Sequence, residues 1–358
     1  MLRTEARPPP APEPTLPPSV VRSVRPAVVL SVGGVGLLVA VGFALAVGAY
    51  GLSPGDVARA VADGVLGRRR YDTADTLVLD MRLPRAVAAM SVGAALATAG
   101  CMLQAMLRNP LASPFVVGTA QASGFGAVLA ITLGASRVGV LGTAFVAAVL
   151  AMMLVLSLAR TRRSLPTESV VLTGLAVSLL FGAMTGLLRY FARDEAVVGR
   201  ITLWVLGGLW HVTWAPLAVL TPATVAAVAL ACVGWRRLDV LALGEADAAR
   251  LGLDVRRTGT ALLLLACALT SLAVCTGGVV AFVGLLVPHA ARRLVGPAHR
   301  ALLPASALLG AAFVLAADVV ARTALPPEEL PLGVVTSLVG VPAFLVLLRS
   351  MRARGGAA

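Results

Sequence analysis

Apolar runs of about 20 residues, the length that crosses a bilayer as a helix, recur along this 358-residue chain from end to end. A soluble domain of this size has too little interior to hide them, since 58% of the residues are hydrophobic and only 13% charged. The pattern demands an all-α polytopic membrane protein, in which each backbone amide finds its partner within its own helix. Spans are expected at 27–50, 84–107, 115–134, 138–159, 168–190, 215–234, 259–276, 278–288, 302–320 and 333–348, about ten transmembrane helices in all. The eighth is too short to cross unaided. It has to lie inside the bundle, with its end expected at Pro288.

Residues 1–26 are rich in Pro and lack the basic-then-apolar order of a signal peptide, so they read as a disordered cytoplasmic tail. A single transmembrane domain is expected over 27–350 and a short cytoplasmic tail over 351–358. Ten crossings put both termini on one side. With that side inside the cell, nineteen of the thirty Arg fall inside and eleven outside, which favours cytoplasmic termini in a bacterial plasma membrane. The Arg68-Arg69-Arg70 cluster runs against this bias. The formal charge of +13 is spread over loops that flank the spans, where it suits anionic lipid rather than nucleic acid.

All thirty basic residues are Arg. Without Lys there can be no P-loop and no Lys Schiff base, so the chain does not hydrolyse ATP by that route. The four Cys are scattered, lack a C-x-x-C pair and read as small buried hydrophobes. His211, His289 and His299 have no ligand partner at metal-binding spacing. No metal and no cofactor is expected on this chain.

The most informative polar stretch runs from Trp235 to Arg257, between two apolar runs. Asp239 can cap a short helix that ends at Gly244; Glu245 and Asp247 suit the start of a second, which Gly252 ends. Leu238, Leu241, Leu243, Ala248, Leu251 and Leu253 supply an apolar side. Two short helices meeting at a glycine over 238–253 make a rigid knob for a partner's cleft. The plainer alternative is an amphipathic loop lying on the membrane. Polar groups within the spans are few: Gln104, Thr173, Ser178, Thr185, Ser271, Thr276, Thr336 and Ser337 either line a pathway or bond across helices. No carboxylate sits at a span centre, which argues against ion coupling and for an external energy source.

Several further segments, in this order, carry a resemblance. Arg82-Leu83-Pro84-Arg85 opens a span. Gly100-x-x-x-Gln104 precedes Arg108-Asn109-Pro110-Leu111-Ala112. Trp204-Val205-Leu206-Gly207-Gly208-Leu209 follows, then Gly278-x-x-x-Phe282-Val283-Gly284-Leu285-x-x-Pro288-His289-x-x-Arg292. Ala317-Asp318-x-x-Ala321-Arg322 and Glu329-Leu330-Pro331-x-Gly333 close the series. Together with the elbow, these resemble the FecCD permease family, the membrane subunits of type II ATP-binding-cassette importers for ferric siderophores, haem and cobalamin. The likeness covers about residues 50 to 348. It departs from the family pattern at Ser113, where many relatives carry an acidic residue.

The resemblance implies the following. Two permease copies, or this chain and a paralogue, form one pathway, and two separate ATPase subunits carry ATP and Mg. They grip the elbow through Leu241, Leu243, Gly244, Glu245, Ala248, Leu251 and Gly252. An extracytoplasmic substrate-binding protein docks on Arg82, Arg85 and Arg322, where a planar guanidinium suits a carboxylate. The rival use of these three is to anchor helix ends, with an i,i+4 pair between Asp318 and Arg322. Gln104, Thr173, Ser178 and Thr185 are candidates for the pathway wall. Cargo moves by alternating access and no catalytic residue is expected. A stand-alone secondary transporter and a membrane enzyme are the rivals from other classes; the sequence lacks a nucleophile, metal or redox constellation for the second.

Overall fold

The computed structural model describes residues 25–48, 50–159 and 167–355. Among these the chain is helical, and its sole β feature is an isolated bridge between Leu325 and Glu328. The expected tail over 1–26 thus lies almost wholly outside the described residues. Helix α1 (Pro26–Ala46) leads to a short amphipathic helix α2 (Pro54–Val65), then to α3 (Thr73–Asp75), a π-helical stretch (Thr76–Arg82) and α4 (Leu83–Met106). Next come α5 (Thr119–Thr132), α6 (Arg137–Ala159), α7 (Thr167–Phe191), α8 (Glu195–Leu206) and α9 (Trp214–Val233). The elbow forms α10 (Trp235–Ala242) and α11 (Glu245–Arg250). Finally α12 (Val255–Gly277), α13 (Val283–Val295), α14 (His299–Thr323) and α15 (Leu332–Gly355) complete the bundle. The last of these runs through most of the expected 351–358 tail.

Nine of the ten expected apolar runs fall largely on a helix, and the eighth, 278–288, only from Val283 onward; among the described residues seven helices have the length and composition to cross a membrane alone. The run at 115–134 became the shorter α5, packed against α6 and α7, and that at 278–288 became α13, displaced by five residues at its start and packed against α4 and α14. Helix α4 is the centre: 83% of its most apolar window is buried, against 11% for α1 and 17% for α7. It packs on α14, α12, α13 and α9. Lipid gives apolar helices no hydrophobic reason to associate, so close backbone approach has to hold them. A Cβ on Gly93 of α4 would lie 2.0 Å from the Gly310 carbonyl oxygen of α14, so the two backbones touch directly. Around that contact Leu96, Met102, Leu103, Leu302, Leu303 and Leu315 are fully buried.

Two prolines shape what surrounds this core. Pro84 lacks an N–H and its ring crowds the carbonyl four residues back. The chain ahead of it is wound wider, in π form, with the Leu83 N–H reaching Val78 O. Pro288 was expected to end its helix. Instead α13 begins at Val283 and passes through Pro288 to Val295. Its missing N–H would have bonded the Gly284 carbonyl. The Gln104 Nε2 donates there instead at 3.4 Å, and to Leu285 O at 3.2 Å. A buried amide from α4 thus repairs the break.

Candidate functional site

The polar residues gather on two opposite faces of the bundle, at the two ends of α14. On one face lies the elbow. Helix α10 starts at Trp235, five residues earlier than a cap at Asp239 implies, so Asp239 sits mid-helix and does not cap it. Its carboxylate caps another helix: the His299 N–H donates to Asp239 Oδ1 at 3.0 Å, and His299 Nδ1 lies 2.6 Å from the same oxygen. His299 is the first residue of α14. Leu238 and Leu241 are buried on the same side of the elbow, so α10 is part of the bundle.

Helix α11 is different. Gly244 turns the chain between the two at φ +120°, a conformation open to glycine alone. Glu245 and Asp247 occupy the first turn of α11 as expected, where a negative charge meets the positive helix end. Leu251 follows its last residue and Gly252 takes a positive φ of +82°. The expected apolar side is therefore split. Leu243 and Leu251 stand 61% and 64% exposed, while Ala248 is fully buried and holds α11 down. Of the seven expected coupling residues, Leu243, Leu251 and Gly252 lie on the surface, Glu245 is half-buried, and Leu241, Gly244 and Ala248 face inward. Asp247–Arg250 and Arg257–Asp254 pairs edge this surface.

The opposite face holds the three arginines, brought together as expected but directed into the chain. Arg82 Nη1 donates to Leu45 O at 2.7 Å and Ala46 O at 2.9 Å, and its Nη2 to Tyr50 O. The Leu45 and Ala46 carbonyls end α1 and lack helical partners, so a cation belongs there; Tyr50 lies in the connection that follows. Arg322 donates to Ala44 O at the same helix end. Arg85 Nε grips both Asp318 oxygens at 2.8 and 3.1 Å, and its Nη1 both Glu329 oxygens at 3.0 and 2.8 Å. Asp318 is 3.7 Å from Arg322 Nε, so the local i,i+4 pair is secondary to the long-range one. Glu329 is the exposed member of the cluster.

Beside this face, α2 forms a pad that was not expected. Ser53 caps it through the Asp56 N–H, and Pro54 opens it. Val57 and Ala60 bury against Val78 and Leu79. The Arg cluster that ran against the charge bias has local acidic partners: Arg69 meets Asp80 at 2.8 Å and Arg70 meets Asp63 at 3.2 Å. Arg59 meets Asp72 at 2.9 Å. The Asp75 N–H and the Arg59 guanidinium hold the Asp72 carboxyl below the usual aspartate range.

Between the faces, the four expected wall residues have separate fates. Gln104 is buried; beside its bonds to α13 it accepts from Arg292 Nη1 and Nη2 at 3.3 Å. Ser178 donates to Phe115 O at 2.9 Å, Thr185 to Phe181 O of its own helix, and Thr173 is half-buried on α7. A cavity of about 410 Å³ is walled by Trp204, Trp210, His211, Leu217 and Thr276, with Arg200 at its edge. A second, of about 590 Å³, lies between the end of α8 and α15 and includes Ser337. Ser113, the departure from the family pattern, is buried and accepts from the Val116 N–H at 3.4 Å within the turn before α5. Among the described residues no group of three or more His, Cys, Asp or Glu is placed to hold a metal ion.

The profile of the FecCD transport family matches residues 36–350. The chain belongs to the FecCD transport family. It is 43% identical over 284 residues to the cobalamin import system permease protein BtuC of Halobacterium salinarum, covering 79% of this chain and 76% of the relative. The Fe(3+) dicitrate transport system permease protein FecD of Escherichia coli is 40% identical, over 77% of this chain and 86% of its own. The hemin transport system permease protein HmuU of Yersinia pestis is 36% identical, over 78% and 85%. Among solved structures, an inward-facing metal-chelate type ABC transporter superposes with a TM-score of 0.78 at 29% identity, over 90% of this chain and 99% of that one. The FecCD chain described here is thus a multi-pass membrane permease subunit.

Proposed function

We propose that this FecCD permease is the translocation subunit of an ATP-driven importer for ferric siderophores. Two copies, or this chain and a paralogue, enclose the pathway, and cargo passes from a binding protein to the cytoplasm by alternating access. The observation that carries the reading is the elbow: an exposed head, the charged helix α11 flanked by the exposed Leu243 and Leu251, on a base built into the bundle. That is the shape of a handle for a separate ATPase, which would hold ATP and Mg. With Lys absent, no P-loop competes for that role.

In this reading the elbow face and both termini are cytoplasmic in a bacterial inner membrane. The arginine face then meets the binding protein. Arg82 and Arg322 shape that surface from beneath. Arg85 is the member with an exchangeable partner, because a docking carboxylate can replace exposed Glu329 while Asp318 stays in place. The pathway holds its cargo loosely, since tight binding would stall release.

A second reading keeps the machine and changes the cargo. The relative at 43% identity is named for cobalamin and another for hemin. Uptake of labelled ferric siderophores, cobalamin and hemin in cells with the gene deleted and restored separates these. Loss and rescue of iron-chelate uptake is the expected result. Loss confined to cobalamin or hemin transfers the assignment to that cargo, and no loss of any of the three refutes the importer reading for this set.

A further inference from the structure

Asp239 is the elbow residue whose side chain has left its own helix to serve another. It lies in the middle of α10, where a carboxylate has no capping duty. Helix α14 opens without a cap of its own, because Ala298 has no side chain to offer. The carboxylate supplies that cap to the His299 N–H and takes the His299 ring as well. Leu238 and Leu241, on either side of it, are seated in the bundle. Helix α10 packs against both α4 and α14.

What α14 does next gives this contact its meaning. It runs from His299 to Thr323, with Pro304 inside its second turn, a length of about 38 Å at 1.5 Å per residue. Midway it touches α4 backbone to backbone at Gly310 and Gly93. At its far end it carries Asp318 and Arg322, which hold Arg85 and the end of α1. The covalent joints of the elbow to its neighbours pass through Gly234 before α10 and Gly252 after α11, and Gly244 joins its two helices. A movement of α10 therefore reaches α14 through the polar contact at His299, and a push on α11 reaches it by way of Gly244 and α10.

We propose that the Asp239–His299 pair is the transmission contact that carries elbow movement into α14, and so to the opposite face. Both are positioning residues; neither touches cargo. The inference rests on the importer reading above and names the place where the motor's stroke enters the bundle.

The test uses the full importer in proteoliposomes, this chain with its ATPase and binding protein, supplied with whichever of the three labelled cargoes the cell assay identifies. The quantity measured is ATP hydrolysed per cargo molecule delivered. Asp239→Ala is expected to raise that ratio about tenfold, within the range usual for coupling between sites. Asp239→Asn keeps an oxygen acceptor for both N–H groups and restores the ratio to near that of the parent. His299→Ala keeps the backbone N–H and removes only the ring, so it preserves the cap and decides the matter should Asp239→Ala fail to fold. It is expected to raise the ratio as well. In the double variant the effects do not add, because both changes remove one contact. An unchanged ratio in His299→Ala overturns the proposal, as does a parallel fall of hydrolysis and uptake. Failure of the parent protein to couple any ATP hydrolysis to uptake refutes the importer reading itself, a result distinct from a working parent with unaffected variants.

Discussion

The two ends of α14 are built to opposite rules. At the arginine face its last turns sit in a web of ion pairs and capped carbonyls that joins α1, α4 and the segment before α15. Asp318 there is almost wholly buried, and its main partner lies 233 residues away in sequence. At the elbow face α14 is held by one carboxylate from α10, and beyond it α11 offers solvent a few surface charges between two exposed leucines, Leu243 and Leu251. A surface pair of that kind contributes little to stability. A buried cluster is costly to break because removing one partner strands the others. One end therefore holds its geometry by buried pairs, and the other leaves the surface that the proposed ATPase would take hold of.

Thermal unfolding of the purified protein measures this contrast. The largest effect is expected at the contact both ends depend on. Gly310→Leu places a side chain against the Gly93 carbonyl, where backbone and not a flexible side chain is in the way. Overpacking of a tight core costs about 1–3 kcal/mol and more where nothing can yield, so little folded protein should reach the membrane. Wild-type yield and melting would show that α4 and α14 are not the shared spine. Asp318→Ala comes next. It leaves Arg85 and Arg322 without their buried partner, at a cost of about 3–5 kcal/mol. A loss under about 1 kcal/mol, the scale of an exposed pair, would place the arginine face in the same class as the elbow and erase the comparison.

Much of this arrangement was legible in the sequence, and the parts that were not share a cause. Periodic apolar length found every long helix, because a span satisfies its own backbone and needs no distant partner. The 12-residue helices α2 and α8 escaped because they fall below that length. Their start signals were present in Ser53-Pro54-Gly55-Asp56 and in Asp194-Glu195. Asp239 was assigned to its own helix because local rules see neighbours only; its partner lies 60 residues on. Asp318 and Arg322 offered a visible i,i+4 pair, and Arg85 won the carboxylate at 2.8 Å against 3.7 Å. Pro288 looked like a terminator because the donor that repairs its helix, Gln104, belongs to α4. The elbow's place was legible from composition, but which of its apolar residues face outward depended on what α10 packs against.

A smaller effect belongs to the pad formed by α2 beside the arginine face. The Asp72 carboxyl is held below the ordinary range by the Asp75 N–H and then by Arg59. A carboxylate with a lowered folded value stabilises fully above the unfolded aspartate range and loses that contribution as pH falls through the lowered value. Proteolysis within 54–72 should therefore quicken on acidification below the usual aspartate range. In Asp72→Asn it should be faster already at neutral pH and should lose the part of the pH dependence that Asp72 supplies. A variant with the parent's full pH profile would remove Asp72 from the account.

The smallest effect on folding is expected where the effect on function is greatest. Leu243→Asp with Leu251→Asp alters two side chains that are exposed and outside the core. Surface changes of this kind fall within about 0.5 kcal/mol of neutral, and losing apolar surface from an exposed head costs the bundle nothing. The melting temperature should stay at the parent value. The same change removes the apolar area a cleft would bury and sets carboxylates in its place. Burying an unpaired charge in a complex is heavily penalised, so co-purification with an ATPase should fail. A double variant that melts earlier would mean that α11 packs into the bundle as α10 does. One that melts normally and still retains its ATPase would move the grip off Leu243 and Leu251, onto the Asp247–Arg250 edge of the elbow.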